Sequence, residues 1–250
     1  MQVLLRNPLA DPYILGVSGG AAVGALLSLL LGMAGFWVSG SAFVGALISM
    51  LIVFVLAHGR GGWTPTRLLL TGIVVAFGWG AAISLLLVLS DNTSLRGMLF
   101  WLMGDLSYRS SGWLPLLVVI AGLAICLPFA RHLNVLARGE TLAEALGISV
   151  RPFTIAIYIA ASLFTAVAVT EAGTIGFVGL VIPHMLRLVS GSDHRTLLPG
   201  AVLLGGSLLM LADTLARTLV APEQLPVGVV TAAIGVPVFL YLLNRARGPL

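Results

Sequence analysis

RLLLTGIVVAFGWGAAISLLLVL, residues 67–89, carries no charge after its first residue and is long enough to cross a bilayer as one helix. Seven further apolar segments flank it, at about 14–31, 36–57, 113–130, 152–170, 175–190, 199–219 and 228–243. The sixth in chain order, 175–190, is short. The apolar stretches are continuous and lack period-2 alternation, which argues against a transmembrane β-barrel. The chain is 59% hydrophobic and only 9% charged, with a mean hydropathy of +1.09. Soluble domains average about 25% charged residues, and no soluble core could bury this much apolar surface. The expected fold class is therefore all-α, a polytopic transmembrane bundle of about eight spans forming a single domain over 1–250.

All 13 basic residues are Arg. They stand singly between apolar runs rather than on one polar face, so the pI near 10.0 does not point to nucleic acid. Their distribution sets the orientation. With both termini cytoplasmic, Arg6, Arg60, Arg67, Arg131, Arg138, Arg151, Arg187, Arg195, Arg245 and Arg247 lie inside. Arg96, Arg109 and Arg217 lie outside. Cys126 sits alone in an apolar run and reads as a small buried hydrophobe. The opening MQVLLRNPLADP has too short an apolar run for a cleavable signal peptide.

Gly16, Gly20 and Gly24 recur every four residues, as do Gly72, Ala76, Gly80 and Ser84. Each series is a small-residue face that lets helices approach closely. The chain has no GxxxxGK[ST], no HExxH and no CxxC. Any energy from ATP must therefore come from a partner.

Three segments could carry function. The polar stretch 131–152, RHLNVLARGETLAEALGISVRP, faces the cytoplasm in this orientation. Thr141 and Glu144 have capping-box spacing, Leu142, Ala145 and Leu146 share a face, and Gly147 suits a helix stop. A short amphipathic helix is expected, lying on the membrane surface or docking a cytoplasmic protein. In 171–200, Pro183 removes one helix hydrogen bond and frees the Gly179 carbonyl. The result is a simple kink or a broken, pathway-lining helix. His184 and Arg187 share a face near its cytoplasmic end. In 211–228, Asp213 and Arg217 have the spacing of a helix ion pair. It either eases burial or presents Arg217 to an external partner.

Together these segments resemble the FecCD/BtuC-like permeases of ABC importers for ferric siderophores, haem and vitamin B12. The likeness rests on RNPLADPYILGVSGGAAVG at 6–24, FWLMG at 100–104, GTIGFVGLVIPHMLR at 173–187, DHRTLLPG at 193–200, ADTLAR at 212–217 and LPVGVVTAAIGVPVFLYLL at 225–243. It implies a bacterial inner-membrane permease working as a homodimer in membrane lipid. Two cytoplasmic ATPase subunits would carry ATP and Mg, and an external substrate-binding protein would deliver cargo. No catalytic residue, metal site or cofactor is expected on this chain. By position, the resemblance assigns ATPase coupling to Asn134, Leu136, Gly139, Glu140, Ala143, Leu146 and Gly147. It assigns the cytoplasmic gate to Asn7, Pro8 and Leu9 with Thr64, Pro65 and Thr66, and binding-protein docking to Arg217. Gly176, Gly179 and Pro183 fall in the broken, pathway-lining helix. Residues 96–104 match a short external helix beside the pathway.

The family has two spans before RNPLADP, with further docking arginines between them, and Met1–Leu5 resembles the tail of the second. The resemblance thus implies a start placed at an internal Met or a truncated product. Two rival readings stand beside the importer. An ion-coupled secondary transporter would carry ionisable groups at mid-span, whereas Glu171, His184 and Asp213 fall toward span ends. The other rival is an inactive fragment.

Overall fold

The computed structural model describes residues 1–5, 7, 10–11, 13, 16–58, 64–106 and 113–245, the side chains of Leu243 and Arg245 excepted. The expected gate residues Pro8 and Leu9 lie outside these, as do Arg6, Arg60, Arg109 and Arg247. The described residues are helical, with no strand. In chain order they form α1 (Gln2–Leu5), α2 (Val17–Leu30), α3 (Phe36–Leu56), α4 (Pro65–Leu89), α5 (Asn92–Met103) and α6 (Leu114–Cys126). There follow α7 (Ala130–Leu136), α8 (Glu140–Ala145), α9 (Val150–Ala172), α10 (Val178–Ser190), α11 (His194–Thr218) and α12 (Val227–Arg245).

Each of the eight apolar segments contains a helix. Five are long and apolar enough to cross a membrane: α3, α4, Leu114–Leu136, α9 and α11. The third of these joins α6 to α7 through a tighter turn at Leu127–Phe129, where Pro128 cannot donate a helix hydrogen bond. Three are shorter: α2, α10 and the apolar part of α12, Val227–Leu242. At 1.5 Å per residue, α2 and α10 are each only about 20 Å long. Both begin inside the bundle, since Gly16 and Val17 at the start of α2 and Gly173 and Ile175 just before α10 are buried.

The core is the antiparallel pair α2–α3, closed by α4 and α9 around Val17, Ala21, Ala25, Ala42, Ala46 and Val53. Small residues make the approach possible. A Cβ on Gly45 would stand 2.1 Å from the Gly20 carbonyl oxygen, and one on Gly24 would stand 2.2 Å from that of Ser41. The expected stripe on α2 is thus a packing face. The stripe on α4 is only half used: Gly72 is buried, but a Cβ on Gly80 would meet nothing within 4 Å. A polar node pins the same helices. Ser49 Oγ donates to the Gly16 carbonyl (2.7 Å) and accepts from Trp79 Nε1 (2.8 Å).

At the end assigned to the cytoplasm, α7 and α8 form the polar segment. The capping box is not formed. Gly139, at φ 127, is the N-cap of α8 and has no side chain to accept a capping bond, and Thr141 lies within the helix. Glu140 instead occupies the first turn, where a carboxylate favours the positive helix end. The stop at Gly147 is as expected. Its φ is +80, its N–H donates to Glu144, and Ile148 N–H donates to Ala143, a Schellman closure. A Gly147→Ala chain is expected to lose about 1 kcal/mol of local stability. Faster hydrogen exchange at the Ile148 amide would show it.

Candidate functional site

Where a helix begins inside a membrane bundle, the preceding backbone must find its hydrogen bonds within the protein. The segment Gly173–Phe177, between α9 and α10, has this requirement, and distant pieces of chain meet it, the first two being the end of α5 and the start of α12. Thr174 Oγ1 donates to the Leu102 carbonyl at the end of α5. Asp105 N–H donates to the Ala172 carbonyl, and Val227 N–H donates to the Gly104 carbonyl (both 3.0 Å). Thr231 Oγ1, on α12, lies 3.2 Å from the Gly176 carbonyl oxygen. Close approach requires glycine here. A Cβ on Gly173 would sit 2.3 Å from the Trp101 oxygen, and one on Gly228 would sit 2.1 Å from that of Met103. FWLMG, GTIGF and LPVG, scattered along the sequence, thus form one junction.

The third piece is the stretch before α2. Tyr13 OH accepts from Ile175 N–H (2.9 Å), and Tyr13 N–H donates to Asp11 Oδ1 (3.0 Å). Asp11 is only 6% exposed. Its Oδ2 would lie 3.3 Å from a Cβ on Gly179, which places the carboxylate at the N-terminal turn of α10, where a helix dipole favours negative charge. The two helices that start inside the bundle are therefore clasped to each other. Asp11 carries no spacing signal in the sequence, and only the fold reveals it.

Pro183 does not mark the break, since α10 runs through it from Val178 to Ser190. The irregular backbone lies at 173–177 and ends on Phe177, a non-glycine residue at φ 68. Of the three pathway candidates, Gly176 lies in the break, Gly179 faces Asp11, and Pro183 is inside an intact helix.

The other expected site residues separate by exposure. Leu136 and Ala143 are buried with Val150. Glu140 and Leu146 face outward, Leu146 beside Leu142. Asn134 serves the fold: its Nδ2 donates to Asp193 Oδ1 (2.7 Å), and its Oδ1 accepts from His194 N–H (2.9 Å). Asp193 caps α11 through Arg195 N–H. These bonds hold the Asp193 carboxyl below its usual pKa, the backbone bond first and the Asn134 bond next. Thr64 Oγ1 accepts from Arg67 N–H, with Pro65 at the first position of α4, a regular helix start. Thr66 opens the same turn. Asn7 lines a cleft with Asn134 and Arg187.

Beyond the junction, toward the opposite face, a cavity of about 1250 Å³ is lined by Arg96, Phe100, Trp101, Glu171 and Gly173, among others. Arg96 Nη2 pairs with Glu223 (3.1 Å). The expected ion pair on α11 is formed, with Arg217 Nε 2.9 Å from Asp213 Oδ2 and the arginine side chain 44% exposed. Among the described residues no cluster of His, Cys, Asp and Glu could hold a metal ion.

Spanning helices, two internally started helices clasped together and a cavity leading to them define a polytopic membrane permease. The chain belongs to the FecCD transport family, which matches residues 1–245. It is 43% identical to the hemin transport system permease protein HmuU of Yersinia pestis, covering 99% of this chain and 76% of HmuU. It is 46% identical to the cobalamin import system permease protein BtuC of Halobacterium salinarum, covering 98% of this chain and 66% of BtuC. YvrB of Bacillus subtilis, an uncharacterized ABC transporter permease protein, is 43% identical, with 99% and 72% covered. The chain thus spans between two thirds and about three quarters of these relatives. A solved structure of a metal-chelate type ABC transporter, inward-facing, superposes with a TM-score of 0.86 at 32% identity. It covers 98% of this chain and 79% of the other. The chain is a permease subunit of the ABC importer class and a multi-pass membrane protein.

Proposed function

We propose that the chain forms the translocation pathway for an iron-chelate cargo of the siderophore type, haem and cobalamin being the neighbouring cargo classes. The observation that carries this reading is the junction, where three distant segments hold the irregular backbone of 173–177 inside the bundle. Two copies flank one pathway, with the termini, α7 and α8 in the cytoplasm. Two ATPase subunits dock there and supply ATP hydrolysis. Glu140 and Leu142 on the outer face of α8 and Leu146 just after it, all exposed, are the contacts that transmit their motion. A substrate-binding protein docks outside, where Arg217 exchanges Asp213 for an acidic group on that protein.

Uptake of labelled ferric siderophore, haem and cobalamin, each in turn, tests this in vesicles loaded with ATP and supplied with binding protein. One cargo should accumulate, and orthovanadate should stop it while a protonophore leaves it intact. The reverse pattern would favour an ion-coupled transporter built around the buried Asp11. Arg217→Glu is expected to lower uptake at least tenfold, as a docking charge pair worth 2 kcal/mol or more would require (about 1.4 kcal/mol per tenfold). ATPase assembly and melting temperature should stay unchanged. Normal uptake in that variant sinks the docking role of Arg217.

A further inference from the structure

At the end of the bundle opposite the α5 cavity lies a cleft of about 800 Å³, between the C-terminal ends of α7 and α10, the start of α11, and α1. Its polar lining includes Gln2, Asn134, Arg138, Arg187, Asp193 and His194. The one carboxylate among these is already engaged, since Asp193 Oδ1 accepts from Asn134 and from Arg195 N–H. His194 is likewise tied to Asn134 through its backbone N–H and its Nδ1. Arg187 is different. It is partly buried, and its Nη2 donates to Gln2 Oε1, a neutral acceptor. The described residues supply it no carboxylate within ion-pair distance. Gln2 Nε2 is buried beside it with no hydrogen-bond partner. Arg138 stands exposed at the rim.

A guanidinium taken partly out of water without a counter-charge is costly. Its planar donors fit the oxygens of a phosphate in pairs. The chain continues from Arg187 into Leu188, 61% exposed, and Val189, 89% exposed. A basic socket suited to an anion thus adjoins bare apolar surface. Basic pockets between helices on the cytoplasmic side of a membrane suit phospholipid headgroups, and the arginine asymmetry assigns this end to the cytoplasm. We propose that the cleft is a phosphate site, occupied in the membrane by the headgroup of an anionic phospholipid whose acyl chains lie along Leu188 and Val189. The inference stands apart from the choice of cargo and from docking on α8.

Native mass spectrometry tests it on the full chain released from nanodiscs of phosphatidylcholine and phosphatidylglycerol in equal parts. Phosphatidylglycerol should be retained in preference. Its occupancy should fall about fivefold for each arginine removed, in Arg187→Gln and in Arg138→Gln. Arg138 is exposed, so its variant decides the matter if Arg187→Gln fails to fold. A second arm compares melting in neutral detergent with inorganic phosphate and with chloride at equal ionic strength. Retained phosphatidylglycerol without stabilisation by phosphate identifies the headgroup as the ligand. Both effects together identify a phosphate site that free anions also reach, while stabilisation by phosphate alone removes the lipid as its source. Equal retention of the two lipids with no phosphate effect overturns the proposal. So does loss of ATPase binding in both variants with lipid retention unchanged, because the cleft would then be a socket for a protein carboxylate.

Discussion

A Gly45→Val chain is expected to lose the α2–α3 pair and with it the folded permease. Every atom added at position 45 is directed at the Gly20 carbonyl oxygen, already 2.1 Å from where the Cβ alone would stand. That neighbour is helix backbone and cannot turn aside as a side chain would. Relief requires the two helices to separate, which also strips Ala21, Ala25, Ala42 and Ala46 of their packing. Overpacking that forces backbone movement costs about 1–3 kcal/mol, occasionally more, and no hydrophobic force between helices in lipid offsets it. In detergent melting followed by size exclusion, the variant should aggregate while Gly40→Ala, on the same helix, behaves as the parent. A Cβ at position 40 meets nothing within 4 Å. Equal melting of the two variants would refute the close approach.

Tyr13→Phe removes one oxygen and should still damage the protein disproportionately. Its hydroxyl is the acceptor for Ile175 N–H in a segment with no helical partner to substitute. A buried amide left unpaired costs about 1–3 kcal/mol. The contrast is Tyr158→Phe. Tyr158 OH donates to the Met50 carbonyl (3.1 Å), which lies within α3 and keeps its place in the helix ladder, so that loss should be near 1 kcal/mol. Melting should therefore separate the variants, Tyr13→Phe falling further. Uptake should fall as well in Tyr13→Phe and in Asp11→Ala, because the clasp joins the stretch before α2 to the start of α10. Melting losses of similar size in Tyr13→Phe and Tyr158→Phe would show that the clasp adds nothing to an ordinary hydrogen bond.

The features readable in the sequence are those with a local physical cause. Long uncharged runs must be helices in lipid, so the eight apolar segments were visible from hydropathy alone. The α2 stripe, the Asp213–Arg217 pair and the stop at Gly147 each depend on spacings within one or two turns. What the spacings misplaced or left open has the opposite character. Thr141 and Glu144 match a capping box by spacing, but Gly139 takes the cap because the chain arrives from α7 at φ 127. Pro183 left a kink and a break both open, and α10 runs through it. The break falls at 173–177 because side chains and backbone from α5, α12 and the stretch before α2 satisfy that segment's polar groups.

The sequence by itself thus determined the solvent, the helices and their small-residue faces, because burial in lipid and the helix repeat act on neighbouring residues. Only the tertiary structure decided where helices start inside the bundle, that Asp11 is buried against α10, and that Arg187 finds no carboxylate partner among the described residues. Each of these depends on which hydrogen-bond and charge partners arrive from far along the chain, and hydropathy and spacing carry no record of that.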